Sequence, residues 1–152
     1  MLLWRISLFD DLAGLGAERS DGRWHTAAPE KRMVYLAEHP AVALIENIAN
    51  LRGDPQFFPE HFQLLKIEAT TKSVLEPEKV PDPQRAALET TRKFGDRWLA
   101  EGSSALVRVP SVPSPESWNY LLNPLHPEAS AVKVVWAKRI AYDKRLFHVK
   151  EK

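Results

Sequence analysis

Glu46 is the residue of this sequence best placed to do chemistry. It lies in PAVALIENIANL, where Ala41, Leu44, Ile45, Ile48 and Ala49 recur at helical spacing and form one apolar stripe, with Val42 at its edge. Glu46 falls one turn after Val42, just beyond that edge. A carboxylate there is drawn toward the core boundary, where a lower dielectric strengthens its electrostatics. Two cations stand in unusual settings. Arg5 interrupts an apolar run, and Arg23 leaves a glycine-bearing loop beside Trp24. A guanidinium offers a planar fork that suits phosphate or carboxylate. Tyr35, flanked by Val34 and Leu36, can present a ring for stacking and a hydroxyl for hydrogen bonding. Ser111 follows Val109-Pro110 at a strand end, a common place for a binding hydroxyl. Each residue also has an ordinary structural reading: a rim glutamate, ion-pair arginines, a sheet aromatic, a turn-capping serine.

Other chemistries lack their signatures. There is no cysteine, which removes disulfides, thiolate nucleophiles and sulfur-ligated zinc. His25, His39, His61, His126 and His148 are scattered, with no metal-ligand spacing, so no metal is expected. There is no P-loop, no G-x-G-x-x-G and no G-x-S-x-G. The formal charge of +1 gives no overall field for nucleic acid. The basic stretch from Lys133 onward, broken by Asp143 and Glu151, reads as a solvated strand face. The apolar part of MLLWRISLFDDL is too short for a signal peptide, and no run approaches a membrane span.

The elements that must position these groups follow from periodicity and punctuation. Strands are expected over 1–9, 33–37, 62–69 and 105–109, and one or two more over 131–147. A helix is expected from about Pro40 to Leu51, with Pro40 in its first turn and Gly53 ending it. A second helix is expected over 84–101, closed by Gly102. The prolines between 110 and 127 predict an irregular connection. With 152 residues, 44% of them hydrophobic, the chain reads as one compact α+β domain spanning 1–152.

The order of short motifs adds what single residues do not. Trp4-Arg5, Gly22-Arg23-Trp24, Val34-Tyr35-Leu36-Ala37, Ala41–Ala49 with Glu46, and Gly95-Asp96-Arg97-Trp98-Leu99 follow one another. Val109-Pro110-Ser111, Asn119-Tyr120-Leu121-Leu122-Asn123-Pro124, His126-Pro127 and a closing Tyr142-Asp143-Lys144-Arg145-Leu146 complete the series. In this order the chain resembles the RES domain family across nearly its whole length. The resemblance implies an ADP-ribosyltransferase-like mixed sheet with flanking helices and a cleft for NAD⁺ as substrate. It implies a cytoplasmic toxin that breaks the nicotinamide–ribose bond and depletes NAD⁺, as a glycohydrolase or phosphorylase. Modification of a specific protein by ADP-ribosyl transfer, or a non-catalytic role in a repressor complex, are the alternatives. The implied partner is an antitoxin with a Xre-type helix-turn-helix, with toxin homodimers in the complex and DNA reached only through the antitoxin. Glu46, Arg23 and Tyr35 take catalytic positions by this resemblance, and Arg5, Trp24, Ser111 and Asn119 substrate-binding ones. Arg5 and Arg23 compete for the role of main site arginine.

Overall fold

The computed structural model describes residues 1–51 and 55–147. The central element is a seven-stranded mixed sheet of strands β1 (Leu2–Ser7), β2 (Val34–Ala37), β3 (His61–Ala69), β4 (Val74–Leu75), β5 (Leu106–Pro110), β6 (Trp118–Leu122) and β7 (Val132–Ala141). Their order is β4-β5-β6-β2-β1-β3-β7. All neighbours are antiparallel except β4 and β5. Two helices, α1 (Pro40–Asn50) and α2 (Leu88–Glu101), complete the α+β fold expected from the sequence.

The strands form where β-branched, leucine and aromatic residues alternate. One face of the sheet buries Leu3, Val34, Leu36, Leu65, Ile67, Leu106 and Leu122 in the largest core cluster. A second cluster joins Trp24, Met33, Val107, Val109 and Leu121 to Trp98 of α2. A third, smaller one packs Val42 and Ala43 of α1 on Ala37, beside Trp4 and Ile6.

β1 and β2 share a single paired position, Trp4 with Ala37. Six positions pair β1 with β3, and four pair β2 with β6. The sheet is therefore thinly stitched at one seam, and the cleft described below lies there.

Helix α1 starts where His39 accepts from the Ala41 backbone N–H at 3.1 Å and Pro40 takes the first position. Gly53, its expected terminator, lies outside the described residues. The buried face differs from the expected stripe. Val42 and Ala43 are buried, whereas Ile45 is 40% exposed and Ala41 and Ala49 face solvent. The helix turns its smaller apolar residues to the sheet, which places Glu46 and Asn47 on the inner face, one turn beyond Val42 and Ala43.

Four further expectations are corrected. The supposed irregular connection 110–127 contains β6, which pairs with both β5 and β2. Its prolines flank the strand and none enters it, so they mark turns on either side. β4, only two residues long, was not expected. Helix α2 begins at Leu88 because the preceding residues form a turn in which Asp82 accepts from the N–H groups of Gln84 and Ala86. The last strand ends at Ala141. Asp143 accepts from the Arg145 N–H at 2.9 Å and starts a 3₁₀ turn over Lys144–Leu146, so 142–146 is not a closing strand. Tyr142 instead stacks edge-on with Phe58 and donates to Asn47 Oδ1 at 2.8 Å, tying the segment after β7 to α1.

Candidate functional site

Glu46 projects from α1 toward the ends of β5 and β6. Its Oε1 accepts two hydrogen bonds, one from the Ser111 hydroxyl at 2.7 Å and one from Asn119 Nδ2 at 2.5 Å. Its Oε2 has no hydrogen-bond partner among the described residues. One oxygen is thus fixed by neutral donors and the other is left for a ligand. Ser111 is 1% exposed, and its hydroxyl also accepts from the Ser114 N–H at 3.2 Å. This serine thus caps a turn and contacts Glu46 at once.

The arginines come from opposite sides. Arg5, half-buried on β1, donates from Nη1 to the Asp11 carbonyl at 2.8 Å and has no carboxylate partner among the described residues. Burial works against its charge and Asp11 partly restores it, but a guanidinium does not give up its proton in proteins. It is a desolvated cation with donors to spare. Arg23 is exposed, and its side chain has no ion pair among the described residues. Its backbone, in contrast, is tightly held by α2. Thr91 Oγ1 donates to the Arg23 carbonyl at 2.7 Å, and Arg92 Nε to the Gly22 carbonyl at 2.8 Å. Asp96 accepts from the Thr26 N–H at 3.0 Å. Gly95 lets the helix press on the loop; a Cβ there would sit 1.7 Å from the Trp24 carbonyl oxygen.

Tyr35 is engaged through its hydroxyl. The Trp24 N–H donates to it at 3.2 Å, and His25 Nδ1 lies 2.8 Å away. His25 Nε2 is 2.9 Å from the Ser20 carbonyl, which can only accept, so Nε2 carries the proton and Nδ1 accepts from the tyrosine. Desolvation pushes the His25 pKa down, which keeps the ring neutral. Burial pushes the Tyr35 phenol well up, so it stays protonated. The approach is close enough that a Cβ on Gly22 would lie 2.3 Å from the Tyr35 hydroxyl. Trp24 is 2% exposed, edge-on to Phe94, and its indole belongs to the core.

These groups line one cleft of about 500 Å³ at the β1/β2 seam, walled by Arg5, Arg23, Tyr35, Glu46, Asn50 and Asn119. That is within the range of small-molecule sites. A smaller cavity of about 90 Å³ adjoins it, sharing Tyr35, Glu46, Asn50 and Asn119 and floored by Trp4, Ile6 and Ala37. Of the seven residues singled out from the sequence, six line the main cleft, Trp24 among them with its N–H bonded to Tyr35, and Ser111 is bonded to Glu46. His25, Thr91 and Arg92 were missed, and Gly95 was read only as part of a motif, without its contact to the loop. Thr91 and Gly95 carry a weak signal, being small residues at i, i+4 on one helix face; a lone histidine carries none.

The fold has a solved counterpart. The chain is similar to a chain of the M. tuberculosis MbcT–MbcA toxin–antitoxin complex, with a TM-score of 0.73, 16% identity, and coverage of 92% of this chain and 84% of that one. Fold and cleft together define an α+β protein with a seven-stranded mixed sheet and a site at the β1/β2 seam. Residues 2–145 match the RES domain, and the chain belongs to the RES domain family. It is 39% identical over 155 residues to a protein named Toxin Res from Pseudomonas putida, covering 97% of this chain and all of that one. It is 32% identical to the Prs ADP-ribosylating toxin of a Sphingobium species, covering 94% of each chain. It is also 32% identical to a Toxin Res from Yersinia enterocolitica, covering 96% of this chain and 99% of that one.

Proposed function

We propose that the cleft binds NAD⁺ and breaks its nicotinamide–ribose bond, and that the protein is the toxin of a toxin–antitoxin pair. The observation that carries this reading is Glu46, with Oε1 held by Ser111 and Asn119 and Oε2 without a hydrogen-bond partner among the described residues, in the wall of a cleft that also presents Arg5 and Arg23. The C–N bond breaks with its electron pair going to nicotinamide, which leaves neutral and needs no strong acid. The ribose becomes oxocarbenium-like, as in glycoside cleavage. A fixed carboxylate beside that developing charge stabilises the transition state more than the substrate. Arg5 and Arg23 hold the diphosphate. The small cavity beyond Glu46 receives the nicotinamide ring, with Tyr35 packed against it. Ser111 and Asn119 act through Glu46, and Trp24 supports Arg23 from the core.

The acceptor of the ADP-ribosyl group is water or phosphate in the primary reading, which depletes NAD⁺. Transfer to a specific protein is the second reading, favoured by the name of the Sphingobium relative. Nicotinamide release from NAD⁺, followed with and without phosphate, tests the first. A labelled protein band from labelled NAD⁺ and lysate supports the second, and absence of any release leaves only a non-catalytic module. The toxin names of the relatives and the complex holding the structural neighbour support an antitoxin partner. We assign it to the Xre type, acting in the cytoplasm on a toxin homodimer and reaching DNA itself. No helix among the described residues is long and apolar enough to cross a membrane.

A further inference from the structure

Tyr142 opens the last of the sequence motifs and lines neither the main cleft nor the small cavity. Its hydroxyl nevertheless reaches the cavity wall, because it donates to Oδ1 of Asn47, the neighbour of Glu46 on α1. How α1 is held gives this one bond its weight. Val42 and Ala43, the buried residues of the helix, both lie in its first turn. Residues 44–50, the half that carries Glu46, are half-buried or exposed. That half is held by polar anchors instead. Glu46 accepts from Ser111 and Asn119 at the ends of β5 and β6, and Asn47 accepts from Tyr142 in the segment after β7. Successive residues of a helix point about 100° apart, so the two anchors pull in different directions. Together they fix the rotation of α1 about its axis, and with it the position of the Glu46 carboxylate.

Tyr142 is itself firmly seated. Its ring centre lies 4.9 Å from that of Phe58, 4.5 Å from Phe62 and 6.0 Å from Phe147. Phe62 is a buried residue of β3, so the aromatic cluster is rooted in the sheet. Asp143 starts the turn that leads to Phe147, and its carboxylate pairs with Arg145 at 2.6 Å. Ring pairs at these distances contribute beyond the area they bury. Burial pushes the Tyr142 phenol pKa up, so the hydroxyl stays a donor.

We infer that Tyr142 is a positioning residue for the reaction: through Asn47 it locks the C-terminal half of α1 and so holds Glu46 in place at the cleft. The inference rests on the proposed NAD⁺ reading of that cleft. Tyr142 touches no substrate. It denies the helix a rotation that would swing the carboxylate away, and a misplacement of about 1 Å can cost on the order of 100-fold in rate. Loss of one neutral hydrogen bond releases only part of that, roughly fivefold.

Tyr142→Phe removes the hydroxyl and keeps the ring among its three partners, so the variant folds, and a circular dichroism melt verifies it. Its nicotinamide release is expected to show kcat lowered about fivefold and KM changed by less than about twofold, because the loss falls on the transition state. Asn47→Ala breaks the same link. The double variant should therefore be no slower than Asn47→Ala alone, and multiplicative losses overturn the inference. Hydrogen exchange followed by mass spectrometry needs no activity. The backbone N–H groups in the C-terminal half of α1 are expected to exchange about fivefold faster in Tyr142→Phe than in wild type. An unchanged kcat in Tyr142→Phe, with or without a lower melting temperature, makes the residue merely structural and overturns the inference. If wild type itself releases no nicotinamide, the NAD⁺ reading fails separately, and exchange in α1 still decides the latch: faster exchange upholds it and unchanged exchange overturns it.

Discussion

At the residue scale the site is a carboxylate with one oxygen fixed and one open. Ser111 and Asn119 both act on Oε1 of Glu46. A hydrogen bond to a charged group contributes about 1.5–3 kcal/mol, so Ser111→Ala and Asn119→Ala are each expected to slow nicotinamide release by roughly tenfold or more. Because they share one acceptor, the double variant should lose less than the product of the two, which a double-mutant cycle on kcat/KM measures. Independent, multiplicative losses would show that the two side chains do not work through Glu46. His25 allows a prediction in pH. Its folded pKa is depressed by desolvation, so the unfolded chain takes up a proton first as pH falls. Its contribution to stability is full above the unfolded value of about 6.5 and is lost as pH drops below it. Thermal melts at pH 7.5 and pH 5 should show a larger fall for wild type than for His25→Gln; equal falls would remove His25 from the account.

At the element scale the arginine loop is as firm as α2 makes it. Gly95→Ala would drive a methyl into the Trp24 carbonyl, and overpacking of this kind costs about 1–3 kcal/mol or more. The variant is expected to melt several degrees lower and to bind NAD⁺ more weakly, because displacing the Trp24 backbone moves Arg23 and Tyr35 together. An unchanged KM in a folded Gly95→Ala protein would contradict that coupling. The elements also mark what the sequence makes legible. The strands around Leu3, Leu36 and Leu65 and the helix opened by Pro40 were readable from pattern and the proline's place in the first turn; the His39 cap was not. β6 was not, because prolines on both sides hid a five-residue run. The inner face of α1 was misjudged because the apolar periodicity put Val42 only at the edge of the stripe, whereas close packing on Ala37 selected Val42 and Ala43. Glu46 could be placed near a boundary, but its two donors lie 65 and 73 positions away in the chain. No local pattern carries contacts of that separation, and only the resemblance joined them.

At the scale of the whole molecule, the cleft lies at the seam where β1 and β2 share one paired position. A dinucleotide bridging Arg5 on β1 and Tyr35 on β2 would fasten that seam. Saturating ligand at 100 times Kd adds about 2.7 kcal/mol to stability. NAD⁺ at that excess is therefore expected to raise the melting temperature of Glu46→Gln by several degrees, and no shift would mean that the cleft does not hold the dinucleotide. The central claim is that this fold places Glu46 to break the nicotinamide–ribose bond. Its most direct test is the rate of nicotinamide release from NAD⁺ by purified wild-type and Glu46→Gln proteins with matching melting curves. Wild type should release nicotinamide, and the variant should be slower by about 10²–10³. A folded Glu46→Gln protein that releases nicotinamide at the wild-type rate would contradict the account.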